Sequence, residues 1–237
     1  MPGADARARD QAAGSFKGSG MMQPAQRIQQ NLLAARERKL LTWLCRRMPR
    51  WVTPDQLTAL GFAGAIACFF GYALSGWGST WLWLAVAGHV IQWFGDSLDG
   101  SLARYRRIER PAFGYFIDHS TDALANLIML GGLGLSAYVS LDVALFTLAG
   151  YLLLSIHAFL AARVVGEIRL SYLAGGPTEL RLTLVVLTIA MYVWGPVPLY
   201  AGFTLFDAIT GGVGVILILL FIVQTAQTAR LLTAEAR

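Results

Sequence analysis

The 237-residue chain has little of what stabilises a small secreted domain and little of what keeps a soluble one in water. There are two cysteines, and charged residues make up 14% of the sequence. Cys45 lies in a basic stretch and Cys68 in an apolar one, without metal-ligand spacing. That excludes a disulfide framework and places both in a reducing or lipid environment. Residues 1–24 lack the apolar core of a signal peptide and read as a disordered arm rich in Ala, Gly, Arg and Asp. Cations are missing from three places: around Ser75–Thr80, around Ser140 and across Gly195–Phe203. A net charge of +5 by itself would allow a nucleic-acid partner. The uneven distribution of that charge argues against one and points to a membrane, as follows.

Hydrophobic residues make up 56% of the chain, outside the range of an ordinary soluble domain. A spanning helix needs about 20 residues, and six apolar segments satisfy that at 57–76, 80–104, 113–138, 141–165, 180–199 and 206–229. The loops between them are too short for an independent soluble domain. With six spans, all 19 Lys and Arg fall on one side: in the N-terminal region, at 104–110, at 163–181 and in the C-terminal tail. The positive-inside rule then puts both termini in the cytoplasm of a bacterial-type cell membrane. The expected fold is an all-α integral membrane bundle of about six transmembrane helices over 53–237. An N-terminal amphipathic interfacial helix over 25–52 precedes it. In that helix Ile28, Leu32, Leu33, Leu40, Leu41 and Leu44 recur at helical spacing among Arg36, Arg38, Lys39, Arg46 and Arg47, with Trp43 and Trp51 at headgroup depth. A basic surface of this kind attracts anionic headgroups and anionic nucleotides.

The first span opens on Thr53-Pro54-Asp55-Gln56, which reads as an N-cap, a first-position proline and a capping box. The most informative stretch runs from Asp96 to Asp122, DSLDGSLARYRRIERPAFGYFIDHSTD. Asp96 and Asp99 lie about 60° apart on one helix, and Asp118 and Asp122 about 40° apart on the next. A hairpin turning at Arg106–Pro111 points the two pairs at each other. A single interfacial Asp is usually just a solvated helix end. Four inside apolar sequence are costly, and they repel one another unless cations sit between them. Oxygen-only ligand sets suit Mg²⁺, Mn²⁺ or Ca²⁺.

These residues resemble the signature of the CDP-alcohol phosphotransferases, D-x-x-D-G-x-x-A-R followed by G-x-x-x-D-x-x-x-D. All eight positions are matched, by Asp96, Asp99, Gly100, Ala103, Arg104, Gly114, Asp118 and Asp122. The resemblance implies a membrane enzyme of phospholipid synthesis that joins a CDP-linked donor to an alcohol acceptor, with release of CMP. It implies two divalent cations, Mg²⁺ or Mn²⁺, held by Asp96, Asp99, Asp118 and Asp122. Gly100, Ala103, Arg104, Gly114, Pro54 and Thr58 then contact the nucleotide and diphosphate. Asp55 stands where the family usually has Asn, so a nucleotide contact there is not expected unless the charge is paired or turned away.

Two residues compete for the base that deprotonates the acceptor: Asp122, by its motif position, and His119. Asp-His-x-x-Asp and Gly-Pro-Thr-Glu at 176–179 resemble the choline/ethanolamine phosphotransferase branch, which uses a CDP-amino alcohol and diacylglycerol. Compact length and six spans favour CDP-diacylglycerol instead. Gly175, Gly176 and Pro177 break the preceding helix, and Thr178 reads as the cap of the next. Arg163, Arg169 and Arg181 are the candidate acceptor-binding cations, while Arg106, Arg107 and Arg110 read as interfacial anchors. His157 reads as structural and His89 as ambiguous. Glycines 131, 132, 134, 211, 212 and 214 allow close helix approach, including homodimer contacts. The rival class is a cation or proton transporter lined by the same acids. A transporter calls for polar positions along several spans and has no use for a Gly-x-x-Ala-Arg cradle.

Overall fold

The computed structural model describes residues 26–28, 34–165, 167–169 and 177–235. Among these it is an all-α bundle of seven helices: α1 (Ala34–Arg47), α2 (Pro54–Ala73), α3 (Leu82–Arg106), α4 (Pro111–Gly134), α5 (Leu141–Val165), α6 (Pro177–Trp194) and α7 (Leu205–Glu235). Two short strands, β1 (Gln26–Ile28) and β2 (Glu167–Arg169), pair in parallel. A small hairpin joins β3 (Pro198–Tyr200) to β4 (Phe203–Thr204).

Six of the helices lie where six apolar segments were expected. By length and composition, three helices among the described residues are apolar enough to cross a membrane: Pro54–Gly76, Leu141–Val165 and Leu205–Ala234. The helices α3 and α4 carry the aspartates, and the apolar part of α6 is shorter, Arg181–Trp194. The fifth segment was expected to run to 199 but stops at Trp194. Gly195 there takes a left-handed φ of 68°, and Pro196 cannot continue a helix.

The amphipathic helix is also shorter than its expected 25–52. Residues 26–28 are extended, Leu32 and Leu33 lie outside the described residues, and α1 ends at Arg47 just before Pro49. It was expected to lie in the interface, and the structure adds what holds it to the bundle. Leu41 and Cys45 pack into a buried cluster with Val52, Leu57, Leu98 and Leu102, and Glu37 accepts a hydrogen bond from Trp93 Nε1 at 3.1 Å. Burial pushes the Cys45 thiol up from its ordinary value, against the opposing pull of Arg104 and Arg106. Arg106 is more than an interfacial anchor. Its guanidinium donates to the carbonyls of Val52 (2.5 Å), Pro49 (2.8 Å) and Met48 (3.3 Å), tying the α1–α2 corner to the end of α3. Arg106→Ala is therefore expected to free α1, seen as faster proteolysis within 46–53. Arg107→Ala, at an exposed neighbour, is expected to leave the cleavage rate unchanged.

Local chemistry sets the helix ends around the site. At the start of α2, Gln56 N donates to Thr53 Oγ1 at 3.3 Å and Thr53 N to Gln56 Oε1 at 2.9 Å, with Pro54 in the first turn. This is the expected capping box. The α3–α4 turn falls where expected and closes as a Schellman motif. Ile108 N bonds to Ala103 O at 3.0 Å and Arg107 N to Arg104 O at 3.1 Å. Arg107 takes the left-handed position at φ 57°, where glycine is the usual occupant. Pro111 then opens α4.

The helices α2 and α3 meet through glycine. A Cβ on Gly64 would stand 2.5 Å from Gln92 N and 2.8 Å from Gly88 O, and one on Gly88 would stand 2.6 Å from Cys68 N. In lipid there is little hydrophobic drive between helices, and close van der Waals contact of backbones replaces it. Of the glycines singled out in the sequence, Gly132 lies against Phe69, Gly134 against Leu141 and Ala144, and Gly214 against Phe146 and Thr147. Gly131 and Gly212 face open space.

Two polar pins hold the rest. Thr188 donates to Leu184 O (2.7 Å), so Tyr72 donates to Thr188 (2.6 Å) and His89 Nε2 donates to Tyr72 (2.9 Å), joining α6, α2 and α3. His89 is thus a core residue. His157 pairs with Thr225 Oγ1 at 3.3 Å between α5 and α7, a structural role as expected. At the other end of the bundle Asp207 accepts from Ser140 N (2.7 Å), Ser140 Oγ (2.9 Å) and Thr204 N (2.8 Å), capping two helix N-termini with one carboxylate.

Candidate metal centre and active site

The hairpin of α3 and α4 brings its two halves together. One carboxylate oxygen from each of Asp96, Asp118 and Asp122 lies within 4.8 Å of the others, on half-buried side chains. Oxygen ligands about 2.0–2.1 Å from one octahedral ion stand about 3–4 Å apart, so three hard donors at this spacing fit a divalent cation with little movement. Beside them a cavity is lined by Thr58, Gly61, Phe62, Gln92, Asp96, Thr121, Asp122 and Ala125. It opens between α2, α3 and α4.

Asp99 stands apart from the trio. Its Oδ2 accepts from Thr58 Oγ1 at 2.6 Å, and its Oδ1 accepts from the Gly100 amide at 2.5 Å. Thr58 also reaches Pro54 O at 3.2 Å. The structure therefore places Thr58 as the partner that orients Asp99, while Pro54 opens the helix that carries Thr58. Gly100 lies beside the guanidinium of Arg104; a Cβ on it would meet Nη1 at 3.4 Å. Arg104 reaches Ser101 Oγ at 3.4 Å. Ala103 is half-buried one residue before Arg104. Gly114 leaves open space where a side chain would be. Of the two motif glycines, Gly100 thus lies next to an arginine fork suited to phosphate, and Gly114, across the turn, leaves its backbone open. Asp55 is ion-paired with Arg110, whose guanidinium also covers the Phe113 ring at 4.3 Å. The charge that is unusual for this position is neutralised at the surface, away from the trio.

His119 lies beside Asp118 and is packed between two aromatic rings. Its Nδ1 lies 2.9 Å from Tyr115 O, and since a carbonyl only accepts, that nitrogen carries the proton. The ring packs between Tyr115 (4.3 Å) and Phe159 (4.7 Å), with Asp118 Oδ2 at 3.5 Å from Nδ1. Of the three candidate acceptor-binding arginines, Arg181 reaches the acids, in an ion pair with Asp96. Arg163 is exposed near the end of α5, and Arg169 is placed only as backbone in β2. Gly175 and Gly176 lie outside the described residues. The helix α6 begins at Pro177, which puts Thr178 in its first turn rather than at the cap. Sequence reading missed Tyr151 of α5, which is close enough to Asp122, Arg181 and Asp96 to interact with their charges. A tyrosine within an apolar span gives no signal of its own. Gln92, one turn before Asp96, was legible as a polar residue on the same helix face.

Fold and site define a membrane-type helical bundle with a carboxylate centre at the junction of two helices. The family model for CDP-alcohol phosphatidyltransferase matches residues 51–225, and the chain belongs to that family. It is 33% identical over 104 residues to archaetidylinositol phosphate synthase of Pyrococcus horikoshii (44% of this chain, 52% of that protein). It is 34% identical over 101 residues to the enzyme of the same name from Methanothermobacter thermautotrophicus (43% and 49%). The chain thus matches about half the length of these curated relatives. The crystal structure of Mycobacterium tuberculosis phosphatidylinositol phosphate synthase with CDP-DAG bound shares the fold, with a TM-score of 0.53 and 20% identity, over 81% of this chain and 94% of that one.

Proposed function

We propose that the chain transfers a lipid-linked phosphate group from a CDP-diacylglycerol-type donor to a phosphorylated alcohol, an inositol phosphate being the first candidate, and releases CMP. The observation that carries this is the meeting of Asp96, Asp118 and Asp122 across the two motif halves. The CDP-DAG bound in the mycobacterial structure of the same fold supports a CDP-lipid donor over a CDP-amino alcohol. Asp96, Asp118 and Asp122, with Asp99 beside them, would hold two divalent cations, Mg²⁺ or Mn²⁺, which would supply charge neutralisation on the diphosphate.

The protein's own residues do the rest. Bare backbone at Gly100 and Gly114, with Arg104, receives the diphosphate, and Ala103 keeps that surface narrow. Asp122 accepts the proton of the attacking hydroxyl. The new bond forms from that oxygen to the phosphorus distal to cytidine, and the bond from that phosphorus to the CMP oxygen breaks. Arg181, already directed at the acids, orients the phosphate of the acceptor, with Arg163 and Arg169 as further candidate cations for it. Six helices cross the membrane in this reading, with both termini and the site on the cytoplasmic side, supported by the one-sided distribution of cations. The functional unit is a homodimer, for which the open surface at Gly212 leaves room.

The test measures CMP release by the purified chain across donor–acceptor pairs. CMP is expected from CDP-diacylglycerol with inositol phosphate or glycerol phosphate, and it should vanish with a chelator and return with Mg²⁺ or Mn²⁺. Release from CDP-choline or CDP-ethanolamine with diacylglycerol would move the chain to the branch that His119 and Gly-Pro-Thr-Glu resemble. Silence from folded protein across the whole panel would sink the enzyme reading and leave cation transport.

A further inference from the structure

The outward face of α1 takes no part in the proposed chemistry. Lys39, Trp43 and Arg46 recur at i, i+4 and i+7, so they share one side of the helix. Leu41 and Cys45, which pack against α3, lie on the opposite side. Arg38 and Thr42 adjoin them on the same open stretch of the helix. The Arg47 guanidinium covers the Trp43 ring at 3.9 Å. Glu37, the acid of this helix, accepts a hydrogen bond from Trp93 Nε1 of α3. Leu40 is 44% exposed, Trp43 50% and Trp51 74%. Apolar and aromatic surface interleaved with cations in this way is the composition of a helix at the boundary of headgroups and acyl chains.

We infer that this face seats the phosphate of an anionic phospholipid headgroup, with Lys39 and Arg46 as its cationic contacts and Trp43 as the wall at headgroup depth. A lipid rather than a soluble phosphate is the occupant because of where the face is held. Arg106 clamps the carbonyls of the α1–α2 corner, which fixes α1 beside the cation-bearing end of the bundle with Leu40 and Trp51 uncovered. A soluble anion gains nothing from that apolar rim. The seat is rigidly joined to the helix that carries Asp96 and Asp99, through the packing of Leu41 and Cys45 on Leu98 and Leu102. The inference rests on the reading of the bundle as membrane-embedded, and not on the reaction.

The test compares retention of phosphatidylglycerol and phosphatidylcholine by the full chain in detergent, using native mass spectrometry. Wild type is expected to retain phosphatidylglycerol preferentially. The double variant Lys39→Gln/Arg46→Gln should weaken that retention about tenfold or more, as expected for two cations near a lipid phosphate. Arg50→Gln/Arg107→Gln removes the same charge elsewhere on this side of the bundle and should change retention less than about twofold. Trp43→Ala, which removes no charge, should also weaken it. Equal losses in the two charge-matched doubles, unchanged retention in the first, or displacement of the lipid by millimolar inorganic phosphate would each overturn the proposal. CMP release assayed on the same samples keeps the two readings apart. Lost lipid retention with intact turnover supports the seat, and intact retention with no turnover counts against the reaction alone.

Discussion

Asp122→Asn is expected to lower CMP release at saturating metal by at least about a hundredfold, more than the roughly 10–100-fold typical of losing a group that only supports a ligand. Asparagine keeps the shape but has neither the charge to hold a cation nor the basicity to take a proton. Asp96→Asn and Asp118→Asn should fall as far, since their oxygens share the same 4.8 Å cluster. His119→Ala separates the two candidate bases. The ring is held between Tyr115 and Phe159 with Nδ1 on a backbone carbonyl, so its removal should cost less than about tenfold in turnover. A base contributes about 10²–10⁴. A large turnover loss confined to His119→Ala, with donor binding intact, would reassign the base. Mn²⁺ binding followed by electron spin resonance gives a second readout: it should weaken in the three Asp variants and persist in His119→Ala.

Gly64→Val is expected to destabilise the bundle by about 3 kcal/mol or more. The atoms that a side chain would strike are backbone atoms of α3, Gln92 N at 2.5 Å and Gly88 O at 2.8 Å. No rotamer change relieves a clash with backbone, so the helices must part. The separation also pulls Thr58 of α2 from Asp99 of α3, which now meet at 2.6 Å. Loss of monodisperse elution and a fall in melting temperature would be the signs. Gly131→Ala, where nothing lies within 4 Å, should leave both unchanged. A Gly64→Val protein as stable as wild type would mean that the α2–α3 crossing is looser than described.

The positions of the helices were legible in the sequence because apolar runs, caps and breakers act locally. The Thr53–Gln56 box, the Pro111 start and the turn at 106–111 each depend on residues a few positions apart. The aspartate pairs were legible for the same reason, since helical spacing alone puts Asp96 with Asp99 and Asp118 with Asp122 on common faces. What sequence spacing cannot show is which carboxylates meet across the hairpin. Two helices pack at one rotation and one depth, and here those bring Asp96, Asp118 and Asp122 together while Asp99 turns to Thr58, 41 positions earlier. The same holds for Arg181, 85 positions from Asp96, and for Arg106, whose partners are carbonyls that any residue would present. The glycines of α2 and α3 looked no different in sequence from those at 131 and 212. Only the crossing of the two backbones made Gly64 and Gly88 indispensable, because space between helices is a property of the assembled bundle and of no single segment.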